Sequence, residues 1–242
     1  MSSLRKEIVG SCSKCNALGL YDGEACDCML KFRVYNRLTN AGFALNSLRL
    51  VDSENYNLPF IAEGESFINY YTTHSKVVED KGLGLYIYSQ DKGRGKTTLA
   101  HHIAFKAASA FVSREHYSTH RTYCFQNAEE LLESFNKGSK DSWKATWYVL
   151  DDLGSEDRCA EWKKTLFLTS LQRLLQYRRA NHLPTLITSN YRPLDLSALY
   201  QGELDSLLEI RPDGLLGGSL FRSVRVGGAE DLRLINDNSW PI

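Results

Sequence analysis

The sequence has no apolar run approaching 18 residues, no charged-then-apolar leader at its N-terminus, and no net charge, since 29 basic side chains offset 29 acidic ones. The first absence excludes a membrane-spanning helix, and the second leaves export without support. The expected location is therefore the cytoplasm, with no membrane partner. The charge balance removes net charge as a guide to partners, but a binding stripe needs a local excess alone. Arg114 to Arg121 and the pair Arg178-Arg179 are candidates for one. There is also no internal repeat and no low-complexity tract, so nothing suggests a solenoid or a compositionally biased linker. What remains is ordinary globular composition, 43% apolar and 24% charged. A chain of 242 residues holds one sizeable core plus a small satellite module.

Of the six cysteines, Cys124 and Cys159 stand alone, and the other four crowd into residues 12–28 as Cys12-x2-Cys15, ten residues, then Cys26-x-Cys28. Four thiolates suit tetrahedral zinc. The single residue between Cys26 and Cys28, where zinc ribbons usually have two, tightens that knuckle without preventing four-coordination. Residues 1–28 show no helical or strand period long enough to form a core, so metal binding is expected to supply their folding free energy. Four free thiols or two disulfides are the alternative, and a reducing compartment disfavours the disulfides.

From Met29 the pattern becomes helical. Phe32, Tyr35 and Leu38 recur among basic residues up to Asn40-Ala41-Gly42. Residues 43–63, containing Pro59, read as a connection. A second helix is expected from about Ser66, with Phe67, Tyr70, Tyr71, His74 and Val77 along one side, to the breakers Gly82 and Gly84. Strand and helix then alternate: strand 85–88, helix 97 to about 112, strand 122–125, helix 128–135, strand 146–150, helix 166–180, strand 185–189. Such an order predicts an α/β fold with a parallel sheet flanked by helices.

Strand 85–88 runs into Gln90-Asp91-Lys92-Gly93-Arg94-Gly95-Lys96-Thr97-Thr98, which matches the phosphate-loop pattern G-x-x-x-x-G-K-[ST] at every position but the first. Gly95 lets the backbone curl so that N–H groups face phosphate oxygens at the positive end of the next helix. Lys96 reaches the β- and γ-phosphates, and Thr97 offers a hydroxyl to Mg²⁺. Gln90 replaces the first glycine, where a side chain is expected to restrict the turn or crowd the phosphates, with Gly93 supplying flexibility. An ordinary strand-to-helix turn is the bland alternative. Strand 146–150 delivers Asp151 and Asp152 to its C-terminal end, where open α/β sheets bind ligands. Asp151 is the candidate magnesium ligand, acting through the metal's water shell, and Asp152 the carboxylate that orients attacking water. Strand 185–189 ends in Asn190, an amide able to bond both the γ-phosphate and a water. A solvated acidic loop and a common Thr-Ser-Asn turn are the structural alternatives for these two.

Taken in order, the cysteine cluster, the helix after it, the phosphate loop, Asp151-Asp152-Leu153-Gly154 and Thr188-Ser189-Asn190 resemble bacterial and phage helicase loaders of the DnaC/DnaI type. These are AAA+ ATPases, and the resemblance covers nearly the whole chain. It implies ATP, Mg²⁺ and Zn²⁺ as cofactors. Residues 1–47 are then a zinc-binding module and helix that grips a hexameric replicative DNA helicase. Residues 48–242 are then the AAA+ ATPase, which hydrolyses ATP slowly under control of DNA or partner. It further implies contact with single-stranded DNA and self-association on the helicase ring. In that family one arginine acts across a subunit boundary and a later one senses nucleotide in cis. Arg233, in Gly228-Ala229-Glu230-Asp231-Leu232-Arg233, matches the later one, and Arg211 or Arg222 is the trans-acting candidate. Arg114, His116, Tyr117, His120 and Arg121 offer cations and a stacking ring for DNA, or form a solvated loop.

Two other readings stay open. An IstB-like transposition ATPase has a similar core and a transposase as partner; the cysteine module favours the loader. An adapter that holds ATP with negligible turnover is compatible with Gln90 and with aspartate at position 152, where many ATPases carry glutamate. Neither a nucleoside-pocket motif nor an arginine-rich lid points to a small-molecule kinase.

Overall fold

A computed structural model describes residues 3–112, 121–138, 141–155, 161–210 and 220–227. Its centre is a six-stranded sheet. The strands that alternate with helices are β4 (Gly84–Tyr88), β5 (Tyr123–Asn127), β6 (Trp147–Leu153), β7 (Thr185–Ser189) and β8 (Phe221–Val226). All five are parallel and lie in the spatial order β8-β4-β7-β6-β5, while β3 (Ile61–Glu63) closes the β8 edge antiparallel. The chain leaves β4 for the far edge and returns inward, which opens a crevice beyond the carboxyl ends of β4, β6 and β7, where such sheets bind ligands. β4 and β7 are buried at every position, the pattern of strands covered on both faces.

Alternate strand residues feed two cores. Leu85, Ile87, Val149, Leu186 and Val224 face one layer of helices, and Tyr86, Tyr88, Leu150, Ile187 and Phe221 face the other. The first layer is α2 (Asp27–Asn40), α3 (Leu45–Asp52), α4 (Glu65–Thr73), α5 (Ser75–Lys81) and α6 (Lys96–Phe111). Ala100, Ala104, Ala107 and Ala108 of α6 are wholly buried; their small side chains let it lie close to the sheet while α2 to α5 cover its outer side. The second layer is α7 (Ala128–Asn136), α8 (Glu161–Ala180), α9 (Pro193–Leu199) and α10 (Asp205–Leu208). A capping box between Asn127 and Glu130 starts α7.

The stretch expected as connection, 43–63, contains α3 and β3. Leu48 and Val51 of α3 are buried against α6, and β3 exists because β8 pairs with it. The helix expected from Ser66 to the glycines is two helices that meet at His74. Thr72 and Thr73 turn their hydroxyls back onto the carbonyls of Ile68 and Asn69, a pattern that bends helices. In α2 the buried stripe is Val34, Tyr35 and Leu38, with Phe32 only partly covered.

Before α2 lie α1 (Ser3–Ile8) and a small antiparallel pair, β1 (Leu20–Tyr21) with β2 (Glu24–Ala25). Asp22 and Gly23 turn between them with φ of 51° and 82°, the left-handed pair of a tight hairpin. No helix among the described residues is long and apolar enough to cross a membrane.

Candidate nucleotide-binding site and four-cysteine cluster

The loop between β4 and α6 wraps the N-terminal end of α6. Gly93 and Gly95 take φ of 75° and 86°, a region open to glycine at little cost. Gln90 is not among the residues with positive φ, its side chain is exposed, and it lies outside the cavity that the loop encloses. The position of the missing glycine therefore demands no glycine. That cavity holds about 360 Å³ and is lined by residues 92–98 together with Asp151, Asp152, Thr188 and Asn190. Lys96 is buried and donates to the carbonyls of Asp91 (3.1 Å) and Ser89 (3.4 Å) across the loop.

Thr97 Oγ1 donates to Asp151 Oδ1 at 2.9 Å, and Thr188 Oγ1 donates to the same oxygen at 2.6 Å. Burial pushes the Asp151 carboxyl above the usual carboxylate range, against the pull of these two hydroxyls. Thr97 Oγ1 is placed to serve as a direct ligand of Mg²⁺, and Asp151, hydrogen-bonded to that hydroxyl, is placed to hold the ion through its water shell.

Asp152 stands on a β-bulge. Leu150 pairs with Ile187 and Leu153 with Ser189, so β6 spends one more residue than β7 over the same span. Asp152 takes φ of 56° there, a left-handed conformation rare outside glycine. Its N–H donates to Thr188 Oγ1 at 2.9 Å, and Asn190 Nδ2 donates to its Oδ1 at 2.7 Å. Bulges of this kind re-aim side chains beside active sites; here both carboxylates of a consecutive pair reach one cavity, although neighbours on a regular strand face opposite sides. Beyond Asp152 and Asn190 a second cavity of about 600 Å³ opens, edged also by Gln90, Lys92, Tyr191, Arg192 and Asp195.

Two residues in or beside the site were given no role of their own from the sequence. Thr188 is the hydroxyl that links both aspartates, and its place directly before the Ser-Asn end of β7 was the available clue. His101, one turn into α6, is buried with Nδ1 2.7 Å from the Thr97 carbonyl and its ring against Phe43 and Phe125. A carbonyl only accepts, so Nδ1 carries the hydrogen.

Arg178 is corrected as a surface cation. It is 1% exposed, its guanidinium donates to the carbonyls of Trp143, Ala145, Thr146 and Pro184 and to Thr185 Oγ1, and it lies over the Tyr148 ring. It ties α8 to the sheet's lower end. Arg179 is exposed and bonds the Ser206 carbonyl. Arg121 is paired with Glu79 at 2.9 Å and stacked on Phe111. Arg222 sits early in β8 opposite Leu85, at the end of the sheet away from the loop. Arg114, His116, Tyr117, His120, Cys159, Arg211 and Arg233 lie outside the described residues.

The sulfurs of Cys12, Cys15, Cys26 and Cys28 all lie within 4.8 Å of one another. Cys12 and Cys26 are 3.9 Å apart, Cys15 and Cys28 3.5 Å, far beyond the roughly 2.05 Å of a disulfide. Four sulfurs about 2.3 Å from one zinc lie about 3.8 Å apart, so the donor set fits tetrahedral zinc. Asn16 and Ala17 turn the first knuckle with positive φ, and the Gly19 N–H points at Cys15 Sγ at 3.2 Å. Cys26 stands at the N-cap position of α2, which fixes the cluster to the head of that helix.

Parallel strand order, phosphate loop, paired acids and the amide of Asn190 define a P-loop fold of the AAA+ class with a four-cysteine cluster attached. One solved structure carries the same fold. The DnaI crystal structure superposes with a TM-score of 0.51 at 19% identity, over 79% of this chain and 94% of that one. A putative primosome component from Streptococcus pyogenes gives 0.46 at 25% identity, over 68% and 78%. Domain III of Thermotoga maritima DnaA gives 0.47 at 21%, over 69% and 65%. At that identity the DnaI likeness establishes the fold, and the two lower scores add nothing to it. No protein-family profile matches the sequence, and no curated protein matches it significantly.

Proposed function

We propose that this chain is an ATP-dependent loader that binds a hexameric replicative DNA helicase and places it on single-stranded DNA during replication initiation. One observation carries the reading: a four-thiol cluster at the head of α2 and a phosphate loop whose Thr97 stands 2.9 Å from Asp151 occur in one chain on the fold of DnaI. Residues 1–47 hold zinc on Cys12, Cys15, Cys26 and Cys28 and grip the helicase; residues 48–242 are the ATPase. Residues 92–98 cradle the nucleotide phosphates, and Lys96 bonds the β- and γ-phosphates. Thr97, and Asp151 through the water shell, would hold Mg²⁺, which when bound would neutralise phosphate charge. Asp152 takes the proton of the attacking water, and Asn190 orients that water. Arg233 senses nucleotide in cis, and Arg211 or Arg222 reaches a neighbouring subunit on the ring. The protein works in the cytoplasm.

The test is to mix the protein with candidate hexameric helicases in the presence of ATP and measure complex mass by light scattering after size exclusion. A complex of helicase plus several copies of this chain is expected. Failure to associate with any of them sinks the loader reading and leaves a DNA-linked ATPase.

The bond from Asn190 to Asp152 favours a second reading, an ATP-bound adapter with negligible turnover, because it occupies one oxygen of the carboxylate that must meet water. Phosphate release with and without single-stranded DNA separates the two. Rates for the natural protein equal to those of Asp152→Asn select the adapter.

A further inference from the structure

We infer that the Arg94 guanidinium is a second phosphate-recognising cation of this loop, acting in cis beside Lys96; the inference rests on the nucleotide reading above. Arg94 lines the same cavity as Lys96, Thr97 and Asp151. Its side chain is 17% exposed, and its Nε and Nη1 are buried without a hydrogen-bond partner. The third nitrogen, Nη2, makes a long 3.4 Å ion pair with Asp91, whose own side chain is 67% exposed.

A guanidinium has five N–H groups and no means of losing its charge. Burying it with two nitrogens unsatisfied costs free energy that a single loose, solvent-facing ion pair does not offset. Arg178 shows how this chain settles a buried guanidinium when the role is structural, with five hydrogen bonds to oxygen. Arg94 has no such cage. The residue lines a cavity that already presents an ammonium, two positive-φ glycines and the N-terminal end of a 16-residue helix, so a change of side-chain rotamer brings its unspent donors to a bound anion. Each of these attracts an anion. A planar fork of N–H groups matches two oxygens of one phosphate or bridges two phosphates, which an ammonium does not do. Arg94 thus reads a polyphosphate chain, and the nucleotide supplies the acceptors the fold withholds. Asp91 holds the guanidinium at the cavity until the phosphates arrive.

The test compares the natural protein with Arg94→Ala and Arg94→Lys, each checked for a native circular dichroism spectrum and thermal transition. Binding of ATP, ADP and inorganic tripolyphosphate is measured by calorimetry with Mg²⁺ present. Loss of a charge-assisted pair weakens binding by about tenfold or more. Arg94→Ala is expected to weaken ATP and tripolyphosphate by that factor, ADP by less, and Arg94→Lys to recover less than half of the loss. Arg94→Ala and Arg94→Lys binding ATP within twofold of a binding-competent natural protein overturns the role of Arg94 alone. A folded natural protein that binds no ATP overturns the nucleotide reading and this inference together.

Discussion

Asn190 Nδ2 stands 2.7 Å from Asp152 Oδ1, and that contact exists because a bulge in β6 turns Asp152 toward the end of β7. The two residues behave as one unit in turnover. Replacing Asp152 by Asn keeps the shape and removes the base, so phosphate release is expected to fall by about 10²-fold or more while ATP affinity changes less than threefold. Asn190→Ala leaves Asp152 unheld and slows turnover in the same direction. The double variant is expected to be no slower than Asp152→Asn. Steady-state phosphate assays with nucleotide titrations check all three.

The phosphate loop tolerates its irregular first position. Gln90→Gly is expected to change ATP affinity less than threefold, because Gln90 has no positive φ and lies outside the phosphate cavity. Gly95→Ala forces a Cβ onto φ of 86° and costs about 1 kcal/mol or more in backbone strain, with at least a tenfold loss of ATP binding. Equal effects of the two substitutions count against this account of the loop.

Metal analysis of the purified protein is expected to give one zinc per chain, lost in Cys15→Ser. Removing it with a strong chelator exposes residues 3–28 to rapid amide exchange, since the four thiolates tie the turns of that segment together, while α6 and the central strands stay protected. Unchanged protection of residues 3–28 after the metal is stripped contradicts a metal-supported module.

Arg178→Ala leaves four carbonyls without their donor at the lower end of the sheet. The expected loss is about 3–5 kcal/mol, read from urea unfolding. Arg179→Ala, on the exposed side of the same helix, is expected to cost less than about 0.5 kcal/mol.

Burial and the nearby Lys106 charge hold the His102 imidazole down at about 4. A group whose folded pKa lies below its unfolded value of 6.5 binds protons in the unfolded chain first. Stability from this site is therefore complete above about pH 6.5, drains away as pH falls toward 4, and then levels off. His101, lowered by burial in the same way, acts in the same direction. The acid-side loss assigned to His102 is at most about 3 kcal/mol. The urea midpoint of His102→Leu compared with the natural protein between pH 7.5 and 4.5 isolates it; parallel curves rule it out.

Chemistry that is local in the chain could be read from the chain. The glycines and Lys-Thr pair of residues 90–98, the thiol spacing of 12–28 and the alternation of apolar strands with helices follow from spacing and residue type, which a sequence displays directly. Asp151, Asp152 and Asn190 could be placed at strand ends for the same reason. Tertiary structure decided what depends on partners distant in the chain. The β6 bulge that brings both carboxylates into one cavity needs β7 beside it, and Thr188 joins them across that pair. β3 is a strand because β8 lies next to it, and α3 is a helix whose buried face is supplied by α6. Arg178 and Arg94 look alike as letters; five acceptors around one and unmet donors on the other separate a structural brace from a candidate phosphate ligand.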